Sequence, residues 1–372
     1  MLMFHANEQQ LVQQLLAVLQ TLPGVHANVA PREPTGAAND RGYDAEIDLS
    51  IAGKSMILLV ETKKTVYPRD VAQALWRIKS QANRSARPDI DSVPVLAAES
   101  LSPGAKDLLR TEQVGYFDSG GSLYLPAPGA YVYIDKPSPK AQASVMRSLF
   151  TGRRAQAIHT LLMQREHWFG VKELAERSRV SPATASEILS ELEKFDWIAI
   201  RGQGPNKQRH LRDPRALLDA WAAQVAASRP AILRRYFVPG TKAEALVDSA
   251  AQAFEARGVG YAISNEAAAQ RYAPFLSSFG QVRCRVLVTP EANHALADLG
   301  ARVVNEGANF AIIDVKSPGD PLFRERVGNA WLASPIYVYL DLLKRRRDIV
   351  DPPASAPGCT GPVSACTRAL RF

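Results

Sequence analysis

The stretch VKELAERSRVSPATASEILSELEK, residues 171–194, decides how the middle of this 372-residue chain folds. Its apolar residues, with Leu174 in the first part and Ile188 in the second, recur every three or four positions, which predicts two amphipathic helices. Ser181 can cap the second helix, and Pro182 fits its first position because no backbone N–H is needed there. Two helices joined this closely are typical of a helix-turn-helix.

The residues that follow, WIAIRGQGPNKQRHLR at 197–212, predict a β-hairpin. Two short strand-like segments flank positions 202–206, whose Gly, Pro and Asn residues favour a turn. A hairpin placed directly after a helix-turn-helix is a winged helix, and cations on such a wing suit contacts with DNA phosphates. The side chains predicted to make these contacts are Arg201, Lys207, Arg209, His210 and Arg212.

The second helix is predicted to present short side chains outward. They are Ser181, Ala183, Thr184, Ser186, Glu187 and Ser190. Short side chains let a helix lie deep in a major groove, where Ser and Thr reach several base edges. We therefore expect double-stranded DNA as the partner, with no cofactor required for binding. The alternative is a winged helix that serves only protein contacts or dimerisation, and the basic wing favours DNA over it.

Composition sets broader limits. The formal charge of +8 and the pI near 9.4 favour a polyanionic partner without identifying one. The first ten residues, MLMFHANEQQ, lack the charged and apolar parts of a secretory signal, and no apolar run approaches a membrane span. Cys284, Cys359 and Cys366 show neither metal-ligand spacing nor a disulfide pattern. These features predict a cytoplasmic protein with no membrane partner.

A second informative stretch covers residues 43–63. It predicts a hairpin with a turn at Gly53 and Lys54, and alternation along its second strand points Glu61 and Lys63 to the same face. A helix is predicted over 68–80. Further strands and helices, with Ser102 as a helix cap, continue to about residue 135, which indicates an α/β layer domain.

This arrangement resembles the PD-(D/E)xK nuclease core. The resemblance implies a restriction-endonuclease-like α/β domain over 1–135, with Asp48 and Glu61 as Mg²⁺ ligands and Lys63 orienting the attacking water or stabilising developing charge. These three are the candidate catalytic residues if the domain is active. Asp44, Glu8 and Gln73 could complete such a site. The alternatives are a nuclease fold that has lost its activity and an ordinary strand that ends in a surface ion pair.

The remaining chain is divided by composition. Residues 135–144 form a Pro- and Lys-containing linker, the winged helix-turn-helix domain spans 145–228, and another α/β unit spans 230–348, with a helix predicted over 321–344 that is broken near Ser334 and Pro335. The cations at 344–347 either stabilise a helix end or contact DNA backbone. The tail at 349–372 is rich in Pro, Ala, Ser and Gly and is expected to be disordered.

The C-terminal unit faintly resembles a nucleotidyltransferase core. Such a core needs a Gly-Ser step followed by a strand with two acids that hold metal. Here the step is Ile263, Ser264 and Asn265, and Arg283 and Arg285 replace the acids. We therefore expect either an inactive nucleotidyltransferase-like domain that serves as an interaction surface or simply a different α/β fold.

Three further stretches carry a resemblance over nearly the whole chain. They are ETKK at 61–64, SPGAKDLLRTEQVGYFDSGGSLYL at 102–125 and ASPIYVYLDLLKRR at 333–346. Together with the winged helix they resemble the AbiEi family of type IV toxin–antitoxin antitoxins, in its longer form. Gly120 and Gly121 stand where such proteins usually carry Gly-Asn.

The resemblance implies an α/β multidomain transcriptional regulator that represses its own promoter. Its implied partners are double-stranded DNA and a nucleotidyltransferase-like toxin, and a homodimer is a further expectation. Two other classes of function stay open on the sequence. One is a Mg²⁺-dependent endonuclease targeted by the winged helix, and the other is a protein-binding scaffold without affinity for DNA.

Overall fold

The computed structural model describes most of the chain, with gaps at both ends and in several connections. The described residues are 2–30, 43–51, 53–85, 90–127, 129–136, 140–228, 232–240, 242–274, 279–315 and 319–349. The chain divides into two compact units, one of Met1–Ser148 with Ser190–Ile198 and one of Leu149–Leu189 with Ala199–Phe372. Each unit mixes helices with strands. None of the helices in these ranges is both long and apolar enough to cross a bilayer.

The first unit contains a seven-stranded sheet whose strands follow one another in chain order. The strands are β1 (Val25–Val29), β2 (Ala45–Ile51), β3 (Lys54–Val66), β4 (Asp91–Leu101), β5 (Gly115–Asp118), β6 (Leu123–Ala127) and β7 (Ala130–Ile134). The central pairs β3–β4 and β4–β5 are parallel, and the outer pairs are antiparallel. The helices are α1 (Leu2–Gln20), α2 (Pro68–Ser85), α3 (Pro103–Thr111) and most of α4 (Lys140–Leu149).

Apolar residues cover both faces of this sheet. On one face Leu15 of α1 packs into a cluster with Leu58 and Val60, and on the other Val71 of α2 packs into a cluster with Leu96. Two-sided burial explains the continuous apolar run in β3, which is typical of parallel strands covered by helices. The predicted α/β layer domain is confirmed in this coarse form.

Local sequence explains where the helices begin. The predicted cap Ser102 accepts a hydrogen bond from the backbone N–H of Ala105 at 3.2 Å, and α3 begins at Pro103. The linker predicted over 135–144 is shorter, because α4 already begins at Lys140.

The second unit begins with helices and a small hairpin. These elements are α5 (Gly152–Met163), α6 (Val171–Ser178), α7 (Pro182–Lys194), β8 (Ile198–Arg201), a 3₁₀ turn (Gly204–Asn206), β9 (Gln208–Leu211) and α8 (Pro214–Ala227). The two helices and the two strands predicted between 171 and 212 are present. The boundary between the units passes through α7, since 182–189 belong to the second unit and Ser190–Ile198 to the first.

The second sheet also has seven strands in the described part of the chain, in the order β13-β10-β14-β12-β11-β16-β15. They are β10 (Leu233–Phe237), β11 (Tyr261–Ser264), β12 (Val282–Leu287), β13 (Arg302–Val303), β14 (Phe310–Val315), β15 (Glu325–Val327) and β16 (Ala330–Leu332). The helices are α9 (Ala243–Ala256), α10 (Asn265–Tyr272), α11 (Pro290–Asp298) and α12 (Pro335–Ile349). The pairs β12–β14 and β11–β16 are parallel, and the other described pairs are antiparallel.

Part of one predicted element in this unit is wrong. Of the helix expected over 321–344, the part after the predicted break near Ser334 and Pro335 is present as α12, whereas the residues before the break include the β15–β16 hairpin instead. Val327 pairs with Ala330 across a two-residue turn in which Gly328 has φ +61°. The tail predicted to be disordered lies outside the described residues from position 350 on, and so do the side chains at 344–347.

Candidate nucleic-acid interface

Two of the three residues between α6 and α7 shape the turn. Arg179 ends α6 in the left-handed conformation at φ +54°, which lets the chain reverse direction. Ser181 then caps α7, because its Oγ accepts a hydrogen bond from the backbone N–H of Thr184 at 3.2 Å. The Ser181 and Thr184 hydroxyls also lie 2.9 Å apart and share a hydrogen bond. The predicted cap is confirmed, and the first turn of α7 is held by its own side chains.

The two faces of α7 differ as the periodicity predicts. Ala185, Ile188 and Leu189 are fully buried. Of the predicted outward residues, Ser181, Ala183, Glu187 and Ser190 are exposed, and Thr184 and Ser186 are half-buried. Ser190 belongs to the first unit, whereas the others belong to the second. Within the described part of the chain, the polar face of α7 is therefore open to solvent.

Glu187 is the one carboxylate among these outward residues. Its Oε2 lies 2.5 Å from Nη2 of Arg154 on α5 in an ion pair whose two side chains are partly exposed. An unpaired carboxylate on this surface would repel DNA phosphates. The ion pair with Arg154 offsets that negative charge.

The cations of the predicted wing do not all face the same way. Arg201 and Arg212 are exposed, and Lys207 and His210 are half-buried. Arg209 is only 7% exposed, and its main chain pairs with Phe169 through two hydrogen bonds of 2.8 and 2.9 Å. Alternate residues of a strand face opposite sides, and Arg209 shares the buried side of β9 with Leu211. The prediction that Arg209 contacts phosphates is therefore corrected.

Arg201 is held in place by two neighbours. Its Nε donates a hydrogen bond to Oε1 of Gln208 at 2.9 Å, and its guanidinium carbon lies 4.3 Å from the centroid of the Trp168 ring. The His210 ring packs on the same tryptophan, with centroids 5.0 Å apart. The sequence pattern does not identify Trp168, because this residue precedes the predicted wing and packs beside it only in the folded chain.

The turn of the hairpin depends on a glycine. Gly202 has φ +73°, and a Cβ at this position would lie 2.6 Å from the carbonyl oxygen of Asn206. Any larger residue would be strained by its backbone conformation and would also clash with the main chain. Glycine at position 202 is therefore required for the tight turn that follows Arg201.

The candidate catalytic residues lie in the first unit. Glu61 is buried on β3, and its Oε1 lies 2.9 Å from Nζ of Lys63, which is confirmed to share its side of the strand. Asp48 is exposed and pairs with Ile57, so it lies four positions from the level of Glu61, or roughly 13 Å along the strand. Asp48 is therefore not placed to act with Glu61.

Asp44 lies nearer than Asp48 to the level of Glu61 along the hairpin. Because Ala45 pairs with Val60, the same register places Asp44 at the level of Glu61. Its backbone N–H donates to the Val60 carbonyl at 2.8 Å, and its Oδ2 accepts from the N–H and Oγ1 of Thr62 at 2.6 and 2.7 Å. In the described ranges no three or more His, Cys, Asp or Glu side chains are grouped as metal ligands. The register therefore places two carboxylate residues, Asp44 and Glu61, at the same level of the hairpin, the pairing that a Mg²⁺ site with several waters would need.

The position compared with nucleotidyltransferase acids carries a buried cation. Arg285 makes two hydrogen bonds to the Asp341 carboxylate, at 2.7 and 2.9 Å, and its Nη1 lies 2.9 Å from Oδ1 of Asp320. The Ser264 hydroxyl donates to Asp341 at 2.5 Å. Burial by itself lowers the pKa of Arg285, but the carboxylates of Asp341 and Asp320 outweigh it and raise the pKa above its usual value.

A neutral histidine lies close to this cluster. His159 of α5 is 1% exposed, and its Nε2 is 2.7 Å from Oγ of Ser334. Burial first, and the positive charge of Arg285 second, lower the pKa of His159 to about 3. His159 is therefore uncharged at neutral pH.

No family model, no curated protein and no solved structure matches this chain. The function proposed next therefore rests on the placement of its own residues. Among these residues, the exposed polar face of α7 and the exposed cations of the hairpin have the chemistry to contact a large anion.

Proposed function

We propose that this chain is a DNA-binding transcriptional regulator in which α5 to α7 and the β8–β9 hairpin form a winged helix-turn-helix. One observation carries the proposal: the second unit presents both an open face of short polar side chains, around Thr184 and Ser186, and exposed cations at Arg201 and Arg212. Short hydroxyl side chains suit base edges in a major groove, and cations suit phosphates. The Arg154–Glu187 ion pair removes the main electrostatic objection.

The wider identity belongs to the same proposal. Residues 1–135 form a restriction-endonuclease-like domain, and 230–348 form an inactive nucleotidyltransferase-like domain. The chain acts as an AbiEi-type antitoxin that represses its own promoter, with a nucleotidyltransferase-like toxin as partner. Support comes from the three quoted stretches and from Arg285, which occupies the place of a metal-binding acid.

The test is binding of the full chain to duplex DNA over a series of salt concentrations. The logarithm of the binding constant should fall linearly with that of salt, and Lys207→Ala or Arg212→Ala should each flatten the slope by roughly one unit per lost phosphate contact. Arg257→Ala serves as the matched control, since this exposed arginine pairs with Asp298 outside the proposed interface. Thr184→Ala should instead change the preferred sequence. If the wild-type chain shows no salt-dependent binding, the proposal is wrong, and a protein-binding scaffold becomes the favoured class of function.

A second candidate function has its own supporting observation. Asp44 lies at the level of Glu61, and Lys63 is in contact with Glu61, an arrangement that suits a Mg²⁺-dependent deoxyribonuclease. Asp44 and Glu61 would hold the ion, which when bound stabilises negative charge on a phosphodiester. Lys63 would orient the attacking water. This candidate retains Glu61 and Lys63 from the sequence and replaces Asp48 with Asp44.

A nicking assay on supercoiled plasmid with Mg²⁺ tests the second candidate. Asp44→Asn and Lys63→Ala should abolish nicking, whereas Asp48→Asn should leave it intact because Asp48 lies too far along the strand. Absence of nicking by the wild-type chain would remove the nuclease while leaving the regulator untouched.

A further inference from the structure

Arg201 is an exposed cation of the hairpin whose guanidinium is held by two neighbours. The ring of Trp168 supports its guanidinium at 4.3 Å, and Gln208 accepts a hydrogen bond from its Nε at 2.9 Å. A stacked guanidinium with one edge hydrogen-bonded has lost most of its freedom before any ligand arrives. Binding through such a group costs less side-chain entropy than binding through a freely rotating lysine.

The contacts also determine which part of Arg201 faces solvent. Gln208 uses the Nε–H, and within the described residues no protein acceptor engages the two Nη nitrogens. Arg201 itself is exposed. The group therefore presents its two terminal nitrogens side by side, which is the geometry that two oxygens of one phosphate accept.

We infer that Arg201 is a preorganised, two-pronged ligand for a backbone phosphate, and that Trp168 and Gln208 are its positioning residues. The inference rests on the proposed DNA-binding function and specifies the chemistry of one contact within it. A lysine at this position would keep the charge but would lose both the paired nitrogens and the flat surface that stacks on Trp168.

The same geometry separates charge from position. Arg201→Ala removes a cation and should flatten the salt dependence by roughly one unit, whereas Arg201→Lys should keep the slope and weaken binding about tenfold.

Trp168→Leu should likewise weaken binding several-fold with an unchanged slope, because the cation remains but is no longer held. Trp168→Phe keeps an aromatic face and should restore most of the affinity. Gln208→Ala should give a smaller loss of the same kind.

The experiment measures fluorescence anisotropy of the full chain with a labelled duplex over a salt series, with a thermal melt of every variant. Arg326→Lys is the matched control, because Arg326 also lies over a tryptophan, 5.8 Å from the Trp331 ring, but belongs to the C-terminal sheet. It should bind DNA as the wild type does. Trp168→Phe keeps the test informative if Trp168→Leu does not fold.

Two results would overturn the inference in distinguishable ways. If the wild type binds DNA with a normal salt dependence and Arg201→Lys binds equally well, the two-pronged contact is absent while the regulator proposal stands. If the wild type does not bind duplex DNA at all, the proposed function fails and the contact fails with it.

Discussion

Two arginines of the second unit, Arg285 and Arg201, are both held in place by neighbouring side chains, but the charges of those neighbours differ. Arg285 has a side chain only 14% exposed and is surrounded by two carboxylates of its own chain, Asp341 and Asp320. Arg201 is exposed and contacts a neutral ring and an amide, Trp168 and Gln208. Both guanidiniums are fixed in position, but only Arg285 has its charge neutralised from within.

The difference teaches which cations of a basic protein are available to a partner. A buried cation is held by chain carboxylates because desolvation would otherwise be too costly, so it contributes to the fold and not to binding. An exposed cation held by neutral groups keeps its charge for an external anion. The formal charge of +8 is therefore distributed over residues with different roles.

Removing Arg285 gives the largest expected effect and tests the buried side of the comparison. Arg285→Met leaves Asp341 and Asp320 without their cation, so we expect the free energy of unfolding to fall by about 3–5 kcal/mol. Chemical denaturation of variant and wild type measures it. Arg257→Ala, which breaks an exposed pair, should leave the midpoint close to that of the wild type. An equal effect of the two substitutions would mean that burial does not distinguish these pairs.

Acid should act through the histidine beside the same cluster. The pKa of His159 is about 3 in the folded chain, against an ordinary value of 6.5, so below pH 6.5 the unfolded chain binds a proton that the folded chain does not. Stability is therefore lost as pH falls from 6.5 toward 3. Relative to His159→Asn, the wild type should lose roughly 2 kcal/mol more between pH 6.5 and 4.5. Parallel pH profiles of the two proteins would contradict the buried, neutral assignment.

Ser181 tests whether an exposed residue of the proposed interface also stabilises the fold. Ser181→Ala removes the acceptor for the Thr184 N–H and should lower the free energy of unfolding by about 1 kcal/mol. Thermal melts of this variant and of Ser190→Ala, which removes an exposed serine elsewhere on α7, provide the measurement and its control. Identical melts would show that the cap contributes nothing.

The smallest expected effect sharpens the exposed side of the comparison. Arg154→Ala leaves Glu187 without its ion-pair partner, so DNA binding should weaken roughly threefold, while Glu187→Gln should strengthen it. The double variant should bind about as the wild type does, because it loses one cation and one carboxylate and so keeps the same local charge. Anisotropy at low salt measures all three. Weaker binding by Glu187→Gln would instead indicate that Glu187 accepts a hydrogen bond from a base.

Local patterns predicted the elements around Ser181 well, because capping and helical period depend on a few neighbouring residues. The β15–β16 hairpin was missed although Gly328 and Asn329 form a two-residue turn sequence between Val327 and Ala330. Apolar residues on both sides of that turn fitted a helix equally well. The turn dipeptide should have outweighed the weak periodicity.

Side-chain direction was harder to predict than element type. Arg209 was counted with the outward cations, yet it is one position from His210 and shares the inner side of the strand with Leu211. Asp48 was chosen over Asp44, although a turn at Gly53 and Lys54 fixes the register of the whole hairpin. Both errors were avoidable by counting from the turn. The placement of Trp168 beside Arg201 depends on tertiary packing and was not accessible in this way.

The glycine at position 202 has a consequence for how the hairpin can vary. A side chain there would strike the carbonyl of Asn206, so the loop does not tolerate a bulkier residue at this position without re-forming its main chain. In the proposed DNA complex, the distance between the cations at the two ends of the hairpin would therefore be fixed by this turn. Under that proposal, differences in the preferred DNA sequence would come from side chains of α7, and the geometry of the hairpin would be the same at every DNA site.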